Sequence, residues 1–172
     1  LPDYIVEPKS RKDLRLLARM LRKHLGLENE LWVPIVELLD VLVEVFDDFS
    51  YEIVEDCELP NGTHAETNVR TGHIKIKESV YERACNGEGR DRMTIAHEIG
   101  HYFTLCFCGF SLQRNFKRQK VKPFNDPEWQ AKCFAVEFMI AHHLTGDMSV
   151  SEIVEACGVS FDAADYQHNH RN

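Results

Sequence analysis

The chain has 172 residues, 44% of them hydrophobic and 28% charged, which suits one folded domain with a real core and excludes a disordered or low-complexity chain. Its formal net charge of -8 disfavours a nucleic-acid partner, because phosphate binding needs basic patches. No apolar run approaches the roughly 20 residues of a membrane span and no charged start precedes an apolar stretch, so a cytoplasmic protein without a membrane partner is expected.

Residues 11 to 25 place Leu14, Leu17, Ala18, Leu21 and Leu25 on one helical face, with Ser10 as the cap and Gly26 as the stop. Pro34 opens a second apolar helix through about Phe46, since a first turn tolerates its missing N–H. Short strands are predicted at Tyr51–Val54, Thr67–Val69 and His73–Lys77. The last two are separated by Arg70-Thr71-Gly72, whose glycine suits a tight hairpin, and Asn61-Gly62 marks another turn.

From Asp91 as N-cap, a helix runs through Thr94 to about Leu105. A loop with Gly109, Pro123 and Asn125 leads to Asp126-Pro127, a cap and first-turn proline for a long helix to about His143, ended by Gly146. Two short helices start near Ser149 to Ser151 and near Ser160, with Gly158 between them. No internal repeat is visible. The pattern is a single α+β domain over 1–172: a helical part over 1–50, a sheet with the central helices over 51–146, and short helices over 147–172.

Six cysteines are scattered among apolar residues and read as reduced thiols, with the C-x-C pair Cys106 and Cys108 lacking a second pair to complete a metal site. The basic cluster of Arg114, Lys117, Arg118, Lys120 and Lys122 reads as a solvated loop. The C-terminal helices resemble a helix-turn-helix only in spacing. Between Ser149 and Tyr166 they carry Glu152, Glu155, Asp162 and Asp165 and no Lys or Arg, a charge that repels phosphate.

The chemistry lies in His97-Glu98-Ile99-Gly100-His101. Two imidazoles one turn apart on one helical face can point at one ion, and Glu98, about 100° round the helix, is placed to take a proton from water there. Burying these groups beside Ile95, Ala96 and Ile99 is costly without a metal or dense hydrogen bonding. A catalytic zinc takes three protein ligands, so one more is required. The next helix offers Glu128 and Glu137, nine residues apart and so on opposite faces. Glu128 shares its face with Ala131, Ala135 and Phe138, a stripe suited to close packing against the metal helix, whereas Glu137 points elsewhere. A glutamate in a first turn also favours the helix dipole with no metal role; pairing with the upstream motif raises Glu128 above that.

The run Arg92-Met93-Thr94-Ile95-Ala96-His97-Glu98-Ile99-Gly100-His101-Tyr102 resembles the active-site helix of the ImmA/IrrE family of metallo-endopeptidases, and Glu128-Trp129-Gln130-Ala131-Lys132-Cys133-Phe134-Ala135 is similar to that family's second signature. The resemblance implies a zincin-like fold, Zn2+ as cofactor, Glu128 as third ligand, and cleavage of a partner protein, typically a helix-turn-helix repressor. Two positions depart from the pattern: Leu105 stands where members often have a histidine, and Met139-Ile140-Ala141 where they often have Leu-Met-Pro. His142 and His143, about 20 Å along the helix from Glu128, are too far to share its metal unless the helix breaks, and read as solvated. An alternative of another class is a module that binds a regulator without cutting it. Tyr102 and His73 are candidates to stabilise the transition state. The strand His73, Ile74, Lys75, Ile76 and Lys77 is the candidate docking edge for an extended substrate.

Overall fold

Ser10 and Asp13 cap the first long helix, α1 (Arg11–His24), reciprocally: the Ser10 hydroxyl accepts the Asp13 N–H, and the Asp13 carboxylate accepts the Ser10 N–H at 2.8 Å. The structure, a computed structural model, describes residues 4–107, 113, 114 and 121–170. Leu14, Ala18 and Leu21 are buried, as their spacing requires, and α1 lies along α5 (Pro127–Met139). α2 (Glu37–Val45) begins within a turn of Pro34, whose carbonyl accepts the Leu38 N–H at 3.0 Å.

Three strands form a mixed sheet in the order β2 (Ser50–Val54), β4 (His73–Lys77), β3 (Ala65–Asn68). β2 runs parallel to β4, with Ser50 opposite His73; β3 runs antiparallel, with Ala65 opposite Ile76. β4 is therefore the middle strand, which corrects its reading as a docking edge. Ile74 and Ile76 are fully buried, and a strand this deep needs ladder partners on both sides for its backbone. A shorter pair, β1 (Tyr4–Ile5) and β5 (Gln113–Arg114), is antiparallel.

α3 (Glu78–Cys85) follows β4 without a linker and was not legible in the sequence; it buries Val80 and Ala84. α4 (Gly89–His101) starts at Glu88 rather than Asp91. Asp91 lies in its first turn, where Arg83 of α3 donates to both carboxylate oxygens at 2.8 and 3.1 Å. The α-helix ends at His101, short of the predicted Leu105, and Tyr102–Phe107 form a π-helical turn. The Thr104 hydroxyl donates to the Gly100 carbonyl at 2.8 Å, the acceptor its own N–H would use in an α-helix.

α5 ends at Met139, so the predicted continuation to His143 is broken. Arg22 donates to the Phe138 carbonyl at 2.6 Å and Gln167 to the Ile140 carbonyl at 3.0 Å, taking up acceptors at the helix end. α6 (His142–Thr145), α7 (Val150–Cys157) and α8 (Phe161–Asn169) complete the chain, the last two capped by Ser149 and Ser160 as predicted. The fold is α+β, and one apolar cluster runs from Leu14 to Ala164. Among the described residues no helix is long and apolar enough to cross a membrane.

Cys57, Cys85, Cys106, Cys133 and Cys157 are all free thiols. Cys108 and the side chains of Arg114, Lys117, Arg118 and Lys120 lie outside the described residues. At the centre of the core Phe134 stacks between Phe103 and Phe138, with ring centroids 5.8 and 5.7 Å away. Phe134→Ala should therefore lower stability by about 3–5 kcal/mol in urea unfolding, the range for emptying an aromatic core site; a loss under 1 kcal/mol would show that this stack does not anchor the fold.

Candidate metal centre

Two helices build the site because α4 and α5 come unusually close. A Cβ on Gly100 would lie 2.7 Å from the Ala131 carbonyl oxygen and 3.2 Å from its Cα. Only a residue without a Cβ at position 100 allows that approach to the Ala131 backbone. It brings the last turn of α4, with His97 and His101, beside the first turn of α5, with Glu128. Asp126 fixes the start of α5 by accepting the Glu128 N–H at 3.0 Å, with Pro127 in the first turn. Gln130 ties the same turn to the N-terminal segment, donating to the Glu7 and Phe124 carbonyls at 2.7 and 2.8 Å.

The three predicted ligands converge. The Nε2 atoms of His97 and His101 are 3.1 Å apart, and Glu128 Oε2 is 3.3 Å from the first and 3.5 Å from the second. For zinc ligands at about 2.0–2.2 Å, the edge of a tetrahedral face is about 3.3–3.6 Å. The triangle thus has the size of three ligands on one small ion. Among the described residues this is the one group of three His, Cys, Asp or Glu side chains that could hold a metal. His101 is 5% exposed, and hydrogen bonding to His101 and His97 holds the Glu128 carboxyl far below the usual carboxylate range. A charged carboxylate against two imidazole nitrogens is a donor set that fits zinc. His101 Nδ1 is buried without a hydrogen-bond partner among the described residues.

Glu98 lies beside the triangle, 7% exposed. The Thr67 hydroxyl of β3 contacts Glu98 Oε2 at 2.7 Å and the Glu98 carbonyl at 3.1 Å. His97 and Glu98 line a cleft of about 890 Å³ between α4, α5, α8 and the residues leading into β3. Its walls include Met93, Trp129, Val136 and Tyr166, so it offers apolar grip along its length. Cys133 also lines it, but burial pushes that thiol up to about 12, and a protonated thiol is no nucleophile.

The other candidates sit elsewhere. Tyr102 is fully buried and donates to Asp48 at 2.6 Å within an aromatic cluster of Phe46, Phe49 and Phe103, so it is not a transition-state stabiliser. His73 is engaged on the sheet, with Nδ1 2.8 Å from the Ser50 hydroxyl and Nε2 3.1 Å from Glu52. Glu137, as its helical phase requires, points away from the metal ligands to Arg11 and Arg15, 2.6 and 3.0 Å distant. His143 is exposed, while His142 is half-buried and also outside the site. Sequence reasoning missed Thr67 and the need for Gly100, although the glycine inside the motif was the visible signal of close packing.

Compared with protein-family models, curated protein sequences and solved structures, the chain matches none of them. The likeness to ImmA/IrrE thus rests on the two motifs.

Metal analysis of purified variants tests the assignment. Glu128→Ala should lose most bound zinc, and Gly100→Ala should weaken binding at least tenfold by wedging α4 from α5, while Glu137→Ala should keep zinc at lower stability. Zinc retained by Glu128→Ala and lost by Glu137→Ala would reverse the ligand assignment.

Proposed function

We propose that this protein is a zinc-dependent endopeptidase that hydrolyses peptide bonds of a partner protein. The observation that carries the reading is the triangle of His97, His101 and Glu128 with a separate carboxylate, Glu98, that lines a cleft together with His97. A ligand set alone would suit a structural metal; a glutamate outside the set and next to it suits hydrolysis.

His97, His101 and Glu128 hold the ion. Zinc, when bound, supplies Lewis acidity that polarises a carbonyl and acidifies water beside it. Glu98 accepts the proton released as the water oxygen bonds to the scissile carbonyl carbon. The same carboxyl then gives that proton to the amide nitrogen as the C–N bond breaks; the water's other proton stays on the new carboxyl group, which loses it to solvent, leaving one carboxylate product and one amine. Glu98 ends the cycle ionised, as it began.

Among the described residues the strand beside α4 with an unpaired edge is β3, and it replaces β4 as the docking edge in this reading. The Lys77 N–H donates to the His64 carbonyl at 3.1 Å, which fixes the alternation of the β3–β4 ladder. Ala65 and Thr67 consequently turn their own N–H and C=O groups away from β4. An extended peptide pairing there runs along the cleft that Ala65, His97 and Glu98 all line. The motif resemblance favours a helix-turn-helix repressor as the owner of that peptide. The acidic balance of the chain favours contact with the protein rather than its DNA.

Glu98→Gln should keep fold and zinc yet lower cleavage by about 10²–10⁴, because an amide cannot accept the proton. Trapping with this variant should retain an uncut protein that the wild type cuts. Undiminished turnover by zinc-loaded Glu98→Gln would remove the mechanism. Ala65→Pro deletes an outward N–H without touching the ladder, and should raise KM several-fold with zinc unchanged; an unaltered KM would exclude docking on β3.

A further inference from the structure

One hydroxyl lies against Glu98 at two oxygens. Thr67 lies on β3 and its side chain reaches across to α4, where its oxygen is 2.7 Å from Glu98 Oε2 and 3.1 Å from the carbonyl of the same residue. A hydroxyl has one proton to donate, and the shorter contact, to a carboxylate, is the stronger. The carbonyl, at 3.1 Å, is the alternative acceptor for the same proton. Among the described residues no other protein donor reaches the Glu98 carboxylate. One oxygen is thereby clamped and the other is left for proton transfer.

Thr67 stands opposite Ile74 on β3, so its side chain shares the face of the buried Ile74 and Ile76. Packing alone at such a place is satisfied by valine, which has the same shape as threonine and suits a strand at least as well. The hydroxyl is the part that packing does not require. It meets the one carboxylate that the hydrolytic reading uses as base. The same residue turns its main-chain N–H and C=O to the open edge, so the strand that would register the substrate is also the strand that fixes the base.

Resting on that hydrolytic reading, we propose that Thr67 is a positioning residue for Glu98: its hydroxyl fixes one carboxylate oxygen and sets the direction in which the other accepts the proton. Misplacing a catalytic group by an ångström can cost a hundredfold in rate.

Thr67→Val and Thr67→Ser, both zinc-loaded, separate the hydroxyl from the shape. With a quenched-fluorescent mixture of randomised octapeptides as probe, Thr67→Val should lower kcat about tenfold or more while KM and zinc content stay within twofold of wild type. Thr67→Ser should recover most of that loss. A second readout needs no turnover: in protein labelled with ¹³C-carboxyl glutamate, the Glu98 signal, assigned through Glu98→Gln, should move in Thr67→Val and return in Thr67→Ser. A Thr67→Val protein with wild-type kcat, or an unmoved Glu98 signal, overturns the proposal. If the signal moves but no zinc-loaded protein, wild type included, cleaves the mixture or a trapped partner, the clamp stands and the hydrolytic reading falls.

Discussion

The contact of Gly100 with Ala131 sets the distance between α4 and α5, and everything at the candidate centre depends on that distance. Helix axes carrying ordinary side chains settle about 8–10 Å apart, whereas here a missing Cβ lets the Ala131 carbonyl approach the Gly100 backbone. The ligand side chains are short compared with the spread between two helices. A shift of about an ångström opens the triangle of nitrogens and oxygen beyond what one small ion can span. Glycine inside a helix costs roughly 1 kcal/mol against alanine, and the apolar surroundings of Ile95, Ala96 and Ile99, all fully buried, offset it.

The far side of α5 is secured by charge rather than by close approach. The Glu137 side chain is fully buried and accepts from Arg11, Arg15 and Gln167, which ties α5 to α1 and α8. Removing one partner from such a buried set leaves an uncompensated charge, so the set is costly to break even if its net contribution is small. Two further arginines are buried among carbonyls instead of carboxylates. Arg22 binds the Phe138 and Glu30 carbonyls. Arg92 binds those of Gly158 and Val33 at 2.8 and 2.6 Å, with its guanidinium 3.8 Å above the Trp32 ring. Burial lowers the pKa of both, yet arginine stays charged. They stitch connecting segments to the helices on which the site stands.

The convergence of His97, His101 and Glu128 was legible because its signal is local: a spacing of four on a helix, and a helical phase that separates Glu128 from Glu137. Caps were legible for the same reason, as Ser10, Ser149 and Ser160 show. What failed was decided by partners distant in sequence. Whether β4 is an edge depends on β2, some twenty residues away, pairing in parallel with it. The end of α5 depends on Arg22 and Gln167, which take the carbonyls of Phe138 and Ile140. Tyr102 follows the second histidine directly, but the helix turns it towards Asp48 and the aromatic core. α3 was missed because its two buried residues, Val80 and Ala84, are a single i, i+4 pair in a helix only two turns long.

The candidate ligands belong to two helices, with His101 closing α4 and Glu128 opening α5. An ion bound to both would be a removable crosslink, closing a loop whose ends the unfolded chain would leave apart. Its binding energy is then also folding energy. At a free concentration a hundred times the dissociation constant, a ligand specific for the folded state adds about 2.7 kcal/mol. The lifetime of this protein in a cell would accordingly follow the supply of the ion, so that scarcity removes the chain itself as well as whatever chemistry the centre performs.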